Sequence, residues 1–237
     1  PIWTHTPLRR LVQEQGRVVG AKVERDGQEV LIRARQGVVL ATGGFDHDLE
    51  LRREHQSRAL EAWSLGSEGN VGDGLHRAQE IGAATDLMDQ AWWFPCIAPL
   101  PDQAPLIMLA ERSLPGSFMV DAKGRRFLNE SIDYMSFGQR LLERERSGDP
   151  VGSMWMVFDQ EYRDSYLLGG TVFPKQPLPP TWFEHGIAVS AASPEELAQA
   201  MDVPVETFAG TLERFNRDAR DGKDSEFGRG ESAYDRY

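Results

Sequence analysis

The sequence contains one cysteine, Cys96, in 237 residues. An intrachain disulfide is therefore excluded, and the count fits a reducing cytoplasm. No apolar run approaches the roughly 18 to 20 residues of a membrane-spanning helix, so no intrinsic span is expected. No secretory signal pattern is visible. Basic residues are in deficit, 26 against 37 acidic ones, for a formal net charge of -11. That balance argues against general nucleic-acid binding, which needs a basic footprint. His5, His47, His55, His76 and His185 are scattered, and none falls in an HxxxH or HExxH spacing. No metal site is expected. Internal repeats, low-complexity blocks and a GxGxxG fingerprint after a strand are also missing.

What is present is ordinary for a folded protein: 40% hydrophobic and 27% charged residues, enough for one large or two modest domains. RVVGAKVERDGQEVLIRAR alternates apolar and polar residues around Asp26-Gly27, which predicts a hairpin. Gly16 ends an earlier strand or helix. Val38, Val39 and Leu40 read as a short buried strand entering Ala41-Thr42-Gly43-Gly44. Helical composition follows over 48–63 and again over 72–82. WWFPCIAPLPDQAPL is rich in aromatics and prolines, so it is expected to be irregular and to cross between domains. FMVDAKGRRFLN predicts a hairpin with Lys123-Gly124 at its tip, and helix signals resume over 132–146. SMWMVFD reads as a strand, 159–166 as a short helix and LGGTVFPKQPLPP as a loop. Ser193-Pro194-Glu195-Glu196 carries a cap residue, an N-terminal proline and early acids. VETFAGTLERFNRDA places Phe208, Leu212 and Phe215 on one helical face.

Candidate chemistry is sparse. The ATGG turn lets a backbone approach a ligand closely, although many such turns hold none. Asn70-Val71-Gly72-Asp73-Gly74 suits a backbone N–H nest at a helix start, or is a plain glycine-rich helix entry. His47 and Asp48 read as a solvated helix start, and Cys96 as a buried structural thiol. Trp92 and Trp93 are core or a ligand wall. Tyr134 follows RRFLNESID. A phenol titrates near 10 and is a poor base at neutral pH unless its anion is stabilised. Asp133 can cap the helix that Tyr134 opens, and the helix N-terminus favours a phenolate. Asp133 and Glu130 oppose it if ionised and close. Composition alone favours an ordinary packed or surface tyrosine.

Taken in order, VVLATGGF, NVGDG with HRAQEIGA, SFMVDAKGRRFLNES, MWMVFDQEYR and SPEELAQAMDVP with ERFN resemble FAD-dependent flavoproteins of the fumarate reductase/3-ketosteroid dehydrogenase type. The resemblance covers nearly the whole chain. It implies a fold that is α/β plus α+β: part of a Rossmann-like FAD-binding domain with an inserted α+β substrate-capping domain. Residues 1–92 would belong to the FAD domain, 93–225 to the cap, and 226–237 to the start of the return to the FAD domain. The chain begins at Pro1 and stops within a polar run, which reads as a piece of a longer protein, inactive and poorly FAD-binding when alone.

The resemblance also implies roles. Ala41, Thr42, Gly43 and Gly44 would approach FAD, with Asn70, Gly72, Asp73 and Gly74 near flavin and substrate. Fumarate reductases carry an arginine after the NE pair, whereas NESIDY resembles ketosteroid dehydrogenases, in which the tyrosine takes a proton from the steroid A ring. The implied reaction is 1,2-desaturation of a 3-ketosteroid, with hydride passing to FAD and electrons onward to an external acceptor. Trp93, Phe94 and Phe118, with Trp92 and Pro95, would build the steroid slot. The alternatives are a Δ4-ketosteroid dehydrogenase, an ene-reductase of the fumarate or urocanate type, or a non-catalytic flavin- or steroid-binding relative. An acid reductase needs arginines on carboxylates. Arg112, Arg125 and Arg126 are available, the last two expected to be solvated on their hairpin.

Overall fold

The structure, a computed structural model, describes residues 1–58 and 60–236. The chain divides into two compact units, Pro1–Gln90 and Ala91–Tyr237.

The first unit opens with a three-stranded antiparallel meander, β1 (Leu8–Glu14), β2 (Arg17–Arg25) and β3 (Gln28–Arg33), in that spatial order. Both connections are two-residue turns in the left-handed region. Gln15 and Gly16 have φ 49° and 78°, and Asp26 and Gly27 have 53° and 75°. That twist matches the twist of the flanking strands. Leu11, Ala21 and Val23 are buried on one side of the sheet. The segment Val38–Leu40, expected as a buried strand, is neither paired nor buried. Val39 is 90% exposed, and no strand among the described residues pairs with it. A strand of a parallel sheet is buried only when neighbours and helices cover it. Every ladder among the described residues is antiparallel.

Two short helices complete this unit. The first, α1 (Leu49–His55), is capped by Asp48, whose Oδ1 accepts the Leu51 N–H at 3.0 Å. It is shorter than the 48–63 expected, of which Ala59 lies outside the described residues. The buried Arg52 gives the reason. Its guanidinium donates to the carbonyls of Asp46, Glu61 and Trp63, each at 3.3 Å. The following chain therefore folds back around a cation instead of continuing the helix. The second helix, α2 (Asp73–Gln79), starts at Gly72.

The second unit is built on β6 (Ser117–Val120) paired antiparallel with β7 (Trp155–Phe158). Before them, β4 (Cys96–Ile97) and β5 (Leu106–Ile107) form a two-residue pair in an otherwise irregular stretch. Period-two alternation sends Phe118 and Val120 to one face of β6 and Met119 to the other. On the first face they meet Ala198 of α6 (Pro194–Ala200), Met201, Val203, and Phe208 of α7 (Val205–Asp221). On the second face Met119 joins Phe127, Leu128, Val151 and Phe137 of α3 (Tyr134–Arg146). Between them come α4 (Gln160–Ser165), capped by Asp159, and α5 (Pro180–Glu184), which begins at the last residue of the segment expected to be a loop and buries Trp182.

The turn over Asp121–Gly124 forms as predicted, with Asp121 Oδ1 accepting from the Lys123 and Arg125 N–H groups. Its second arm, however, is not a strand: β6 takes β7 as its partner instead. The side chain of Glu130 accepts the Met119 N–H at 3.1 Å, occupying β6 from the other direction. Arg126, expected in solvent, is also buried. It donates to Glu130 through Nε at 2.9 Å and a terminal nitrogen at 2.7 Å, and to Asp224 at 2.8 and 2.9 Å. Burial would lift the Asp224 carboxyl, but hydrogen bonds from Arg126 and the Arg229 N–H outweigh it and hold the group at about 2.

A depressed carboxyl stabilises the fold above its unfolded titration and loses that contribution as pH falls through the folded value. The window here runs from about 4, the ordinary carboxyl range, down to about 2, and is worth roughly 2 kcal/mol. Asp224→Asn should flatten the dependence of the urea midpoint on pH across that window. An unchanged slope would refute the assignment.

Candidate active site

In the first unit the two glycine-rich stretches come together. The Gly72 N–H donates to the Gly44 carbonyl at 3.0 Å, and the His47 N–H to the Asn70 carbonyl at 3.0 Å. The contact is close because the residues are small. A Cβ on Gly74 would overlap Thr42 Oγ1, and one on Gly43, whose φ is +79°, would overlap Asn70 Oδ1. Ala41, Thr42, Gly43 and Gly44 are exposed, and Asp73 Oδ1 accepts the N–H of the adjacent Gly74 at 2.9 Å. Asp48, expected to be solvated, pairs with His76 Nε2 at 3.1 Å as well as capping α1. The Leu51 N–H, first, and His76 hold its carboxyl below the usual range.

In the second unit the aromatic calls converge on Tyr134. It is the first residue of α3, half-buried, with Asp133 as N-cap accepting the Ser136 N–H at 2.9 Å. The hydrogen bonding to Ser136 lowers the Asp133 carboxyl. The Tyr134 ring stacks on Phe94, centroids 4.7 Å apart and planes 20° apart. Phe94 in turn meets the exposed Trp92 at 5.6 Å. One helical turn on, Gly138 receives Trp93, and a Cβ there would overlap the indole at Cβ and Cγ and lie 2.8 Å from Cδ1. Tyr134 and Gly138 are four residues apart and share a face of α3, so that face carries a phenol beside an apolar aromatic wall.

Other calls land elsewhere. Phe118 is 3% exposed and stacks on Phe215 at 4.6 Å, so the core already uses its ring. Arg112 is buried. Its guanidinium donates to the carbonyls of Glu130 and, at 2.6 Å, Ile132. Glu130 does not stand as a bare charge beside Tyr134, because Arg126 and Arg229 neutralise it. Tyr162 is the tyrosine least suited to act as a base. Burial, first, lifts its phenol far above the usual range, and its O–H donates to the Glu111 carbonyl at 2.7 Å. Cys96, expected to be buried, is half-buried, and desolvation raises its thiol. Among the described residues no cluster of histidine, cysteine and carboxylates could hold a metal, and no helix is long and apolar enough to cross a membrane.

A family model described as FAD binding domain matches residues 1–237. The chain belongs to the FAD-binding-domain family. It is 41% identical to 3-oxosteroid 1-dehydrogenase of Mycolicibacterium smegmatis over all of this chain and 43% of that protein. It is 36% identical to 4-oxocyclohexanecarboxylate 2-dehydrogenase of Sinomonas cyclohexanicum over 94% of this chain and 38% of the relative. Among solved structures it superposes on 3-ketosteroid delta1-dehydrogenase from Sterolibacterium denitrificans, in complex with 1,4-androstadiene-3,17-dione. The TM-score is 0.88 at 37% identity, covering all of this chain and 43% of that one. The chain thus spans less than half the length of these relatives. The mixed α/β character and the FAD-binding match agree with the coarse part of the expected class, and FAD is the family's cofactor. The exposed small residues Ala41–Gly44, packed on Asn70–Gly74 with no large side chain between them, fit such a cofactor because backbone can reach it closely.

Gly138 carried a readable signal, since glycine inside a helix costs about 1 kcal/mol against alanine. Gly138→Ala should regain that and lose more, about 1 to 3 kcal/mol, from overpacking against Trp93. A lower denaturation midpoint is expected. A raised midpoint would show that Trp93 does not occupy that face.

Proposed function

We propose that this chain is part of a flavin-dependent oxidoreductase that introduces a 1,2 double bond into 3-ketosteroids, with Tyr134 as its base. One observation carries this reading: Tyr134 opens α3 from a capped, half-buried position and lies flat against Phe94. The relatives' names support it, since they are dehydrogenases of ring ketones, steroidal and cyclohexane alike. A bound FAD supplies acceptance of the hydride lost from the carbon next to the deprotonation site. The Tyr134 oxygen takes the proton from the carbon beside the ketone. Phe94, Trp93 and the exposed Trp92 provide apolar surface that a neutral, flat substrate needs and that excludes water. Ala41, Thr42, Gly43, Gly44, Asn70, Gly72, Asp73 and Gly74 would hold FAD.

The same reading assigns residues 1–92 to a Rossmann-like FAD domain and 93–225 to an inserted capping domain. The division between Gln90 and Ala91 supports the first boundary. Residues 226–237 would begin the return to the FAD domain. An external acceptor would reoxidise the flavin. A reducing cytoplasm is part of the proposal and rests on the single cysteine. An acid reductase is disfavoured by the arginines: Arg112 and Arg126 are turned onto their own chain, which leaves Arg125 alone exposed.

Tyr134→Phe in the full-length flavoprotein should lower turnover of a 3-ketosteroid by about 10²- to 10⁴-fold with FAD retained. Turnover equal to the parent would remove Tyr134 from the chemistry. Reduction of fumarate or urocanate without any steroid oxidation would reject the reaction class.

A further inference from the structure

We propose that Arg112 is a positioning residue for Tyr134, an inference that rests on the role given to that tyrosine above. The 3-10 turn that carries Arg112 (Glu111–Ser113) is held from several sides. Tyr162 donates to the Glu111 carbonyl at 2.7 Å, the Gly169 N–H to Glu111 Oε1 at 3.1 Å, and Arg229 to the Ser113 carbonyl at 2.8 Å. Arg112 therefore extends from a fixed base.

Its guanidinium, 3% exposed, donates to two carbonyls of the loop that feeds α3, those of Glu130 and Ile132. It also lies over the Phe137 ring, 5.3 Å from the centroid. Ile132 is two residues before Tyr134 and Phe137 three after it. One planar group thus grips both the approach to the helix and the first turn of the helix itself. The loop has its own turn, with the Ser131 N–H on Asn129 Oδ1 at 2.8 Å and the Ile132 N–H on the Asn129 carbonyl at 3.2 Å. That turn shapes the loop but does not orient it against the rest of the unit. The guanidinium does so together with Glu130 and Asn129, whose side chains bind Arg126 and Asp235, and it also reaches α3 through Phe137, so it bears directly on where the Tyr134 ring meets Phe94. A lysine keeps the charge but lacks the fork that reaches two carbonyls at once.

The test uses the full-length flavoprotein with Arg112→Ala and Arg112→Lys, beside Tyr134→Phe. With Arg112→Ala, kcat on a 3-ketosteroid should fall at least about tenfold while KM stays within about twofold, as small misplacements of a reacting group do. Added guanidinium ion should restore part of the loss. Arg112→Lys should fall between the two. A crystal structure of either variant should show the Phe94–Tyr134 separation moved from 4.7 Å. If Arg112→Ala does not fold, the lysine variant decides alone: parental kcat with the stack in place overturns the proposal. So does a rise in KM at constant kcat. Parental turnover in Tyr134→Phe would instead strike the underlying reading and not the geometry, which the crystal structure reads separately.

Discussion

Glu130 is a carboxylate with no exposed surface, and two guanidiniums make that burial tolerable. An isolated charge in such a place would cost many kcal/mol and would neutralise instead. Here Arg126 grips it with two nitrogens, Arg229 approaches at 3.4 Å, and the Met119 N–H takes one lone pair. The four groups come from three parts of the chain: the segment between the Asp121–Gly124 turn and α3, which carries both Arg126 and Glu130, the segment after α7, and strand β6. Asp224 closes the set by binding Arg126 from the far side. Removing one member of such a buried set leaves its partner uncompensated, at about 3 to 5 kcal/mol. Pairing of this kind specifies arrangement more than it adds net stability.

The position of Tyr134 is inherited from that arrangement. Residues 126–132 have no strand ladder to hold them, so their geometry comes from side chains: Arg126 and Glu130 on each other, Asn129 on Asp235 at 3.0 Å, Arg112 on the carbonyls. Asp133 then starts the helix in the ordinary way. The core beneath is conventional, with Phe137 and Leu142 buried on α3 and Met119 on β6. The site therefore depends on a polar lattice above an apolar floor. The floor fixes that a helix lies there, and the lattice fixes which way its first residue faces.

Sequence reading recovered features governed by nearby residues. The Asp26-Gly27 turn of the meander, the Asp133 and Ser193 caps, the apolar face of α7 and strand β7 follow from local chemistry. The pairing of Tyr134 with Phe94 was not readable from spacing, since forty positions separate them. Only the order of several stretches drew attention to that tyrosine. The failures share a cause. Arg126 looked solvated because its partners, Glu130 and Asp224, differ widely in separation, and only the nearer one is visible locally. The helix expected over 48–63 stops early because Arg52 collects the carbonyls of Asp46, Glu61 and Trp63, beyond the reach of helical spacing. Phe118 looked available because burial on a strand packed between two clusters of side chains cannot be told from exposure in an aromatic wall by composition. Long-range side-chain hydrogen bonds to backbone leave no periodic trace.

The unpaired stretch 38–40 bears on how the chain behaves in a test tube. With Val39 90% and Leu40 37% exposed, it offers apolar side chains on backbone that no described strand pairs. Such a segment is a template for a second copy of itself. Concentrated preparations of these 237 residues should scatter light and elute early from a sizing column, whereas charged substitutions at Val39 would keep them monodisperse.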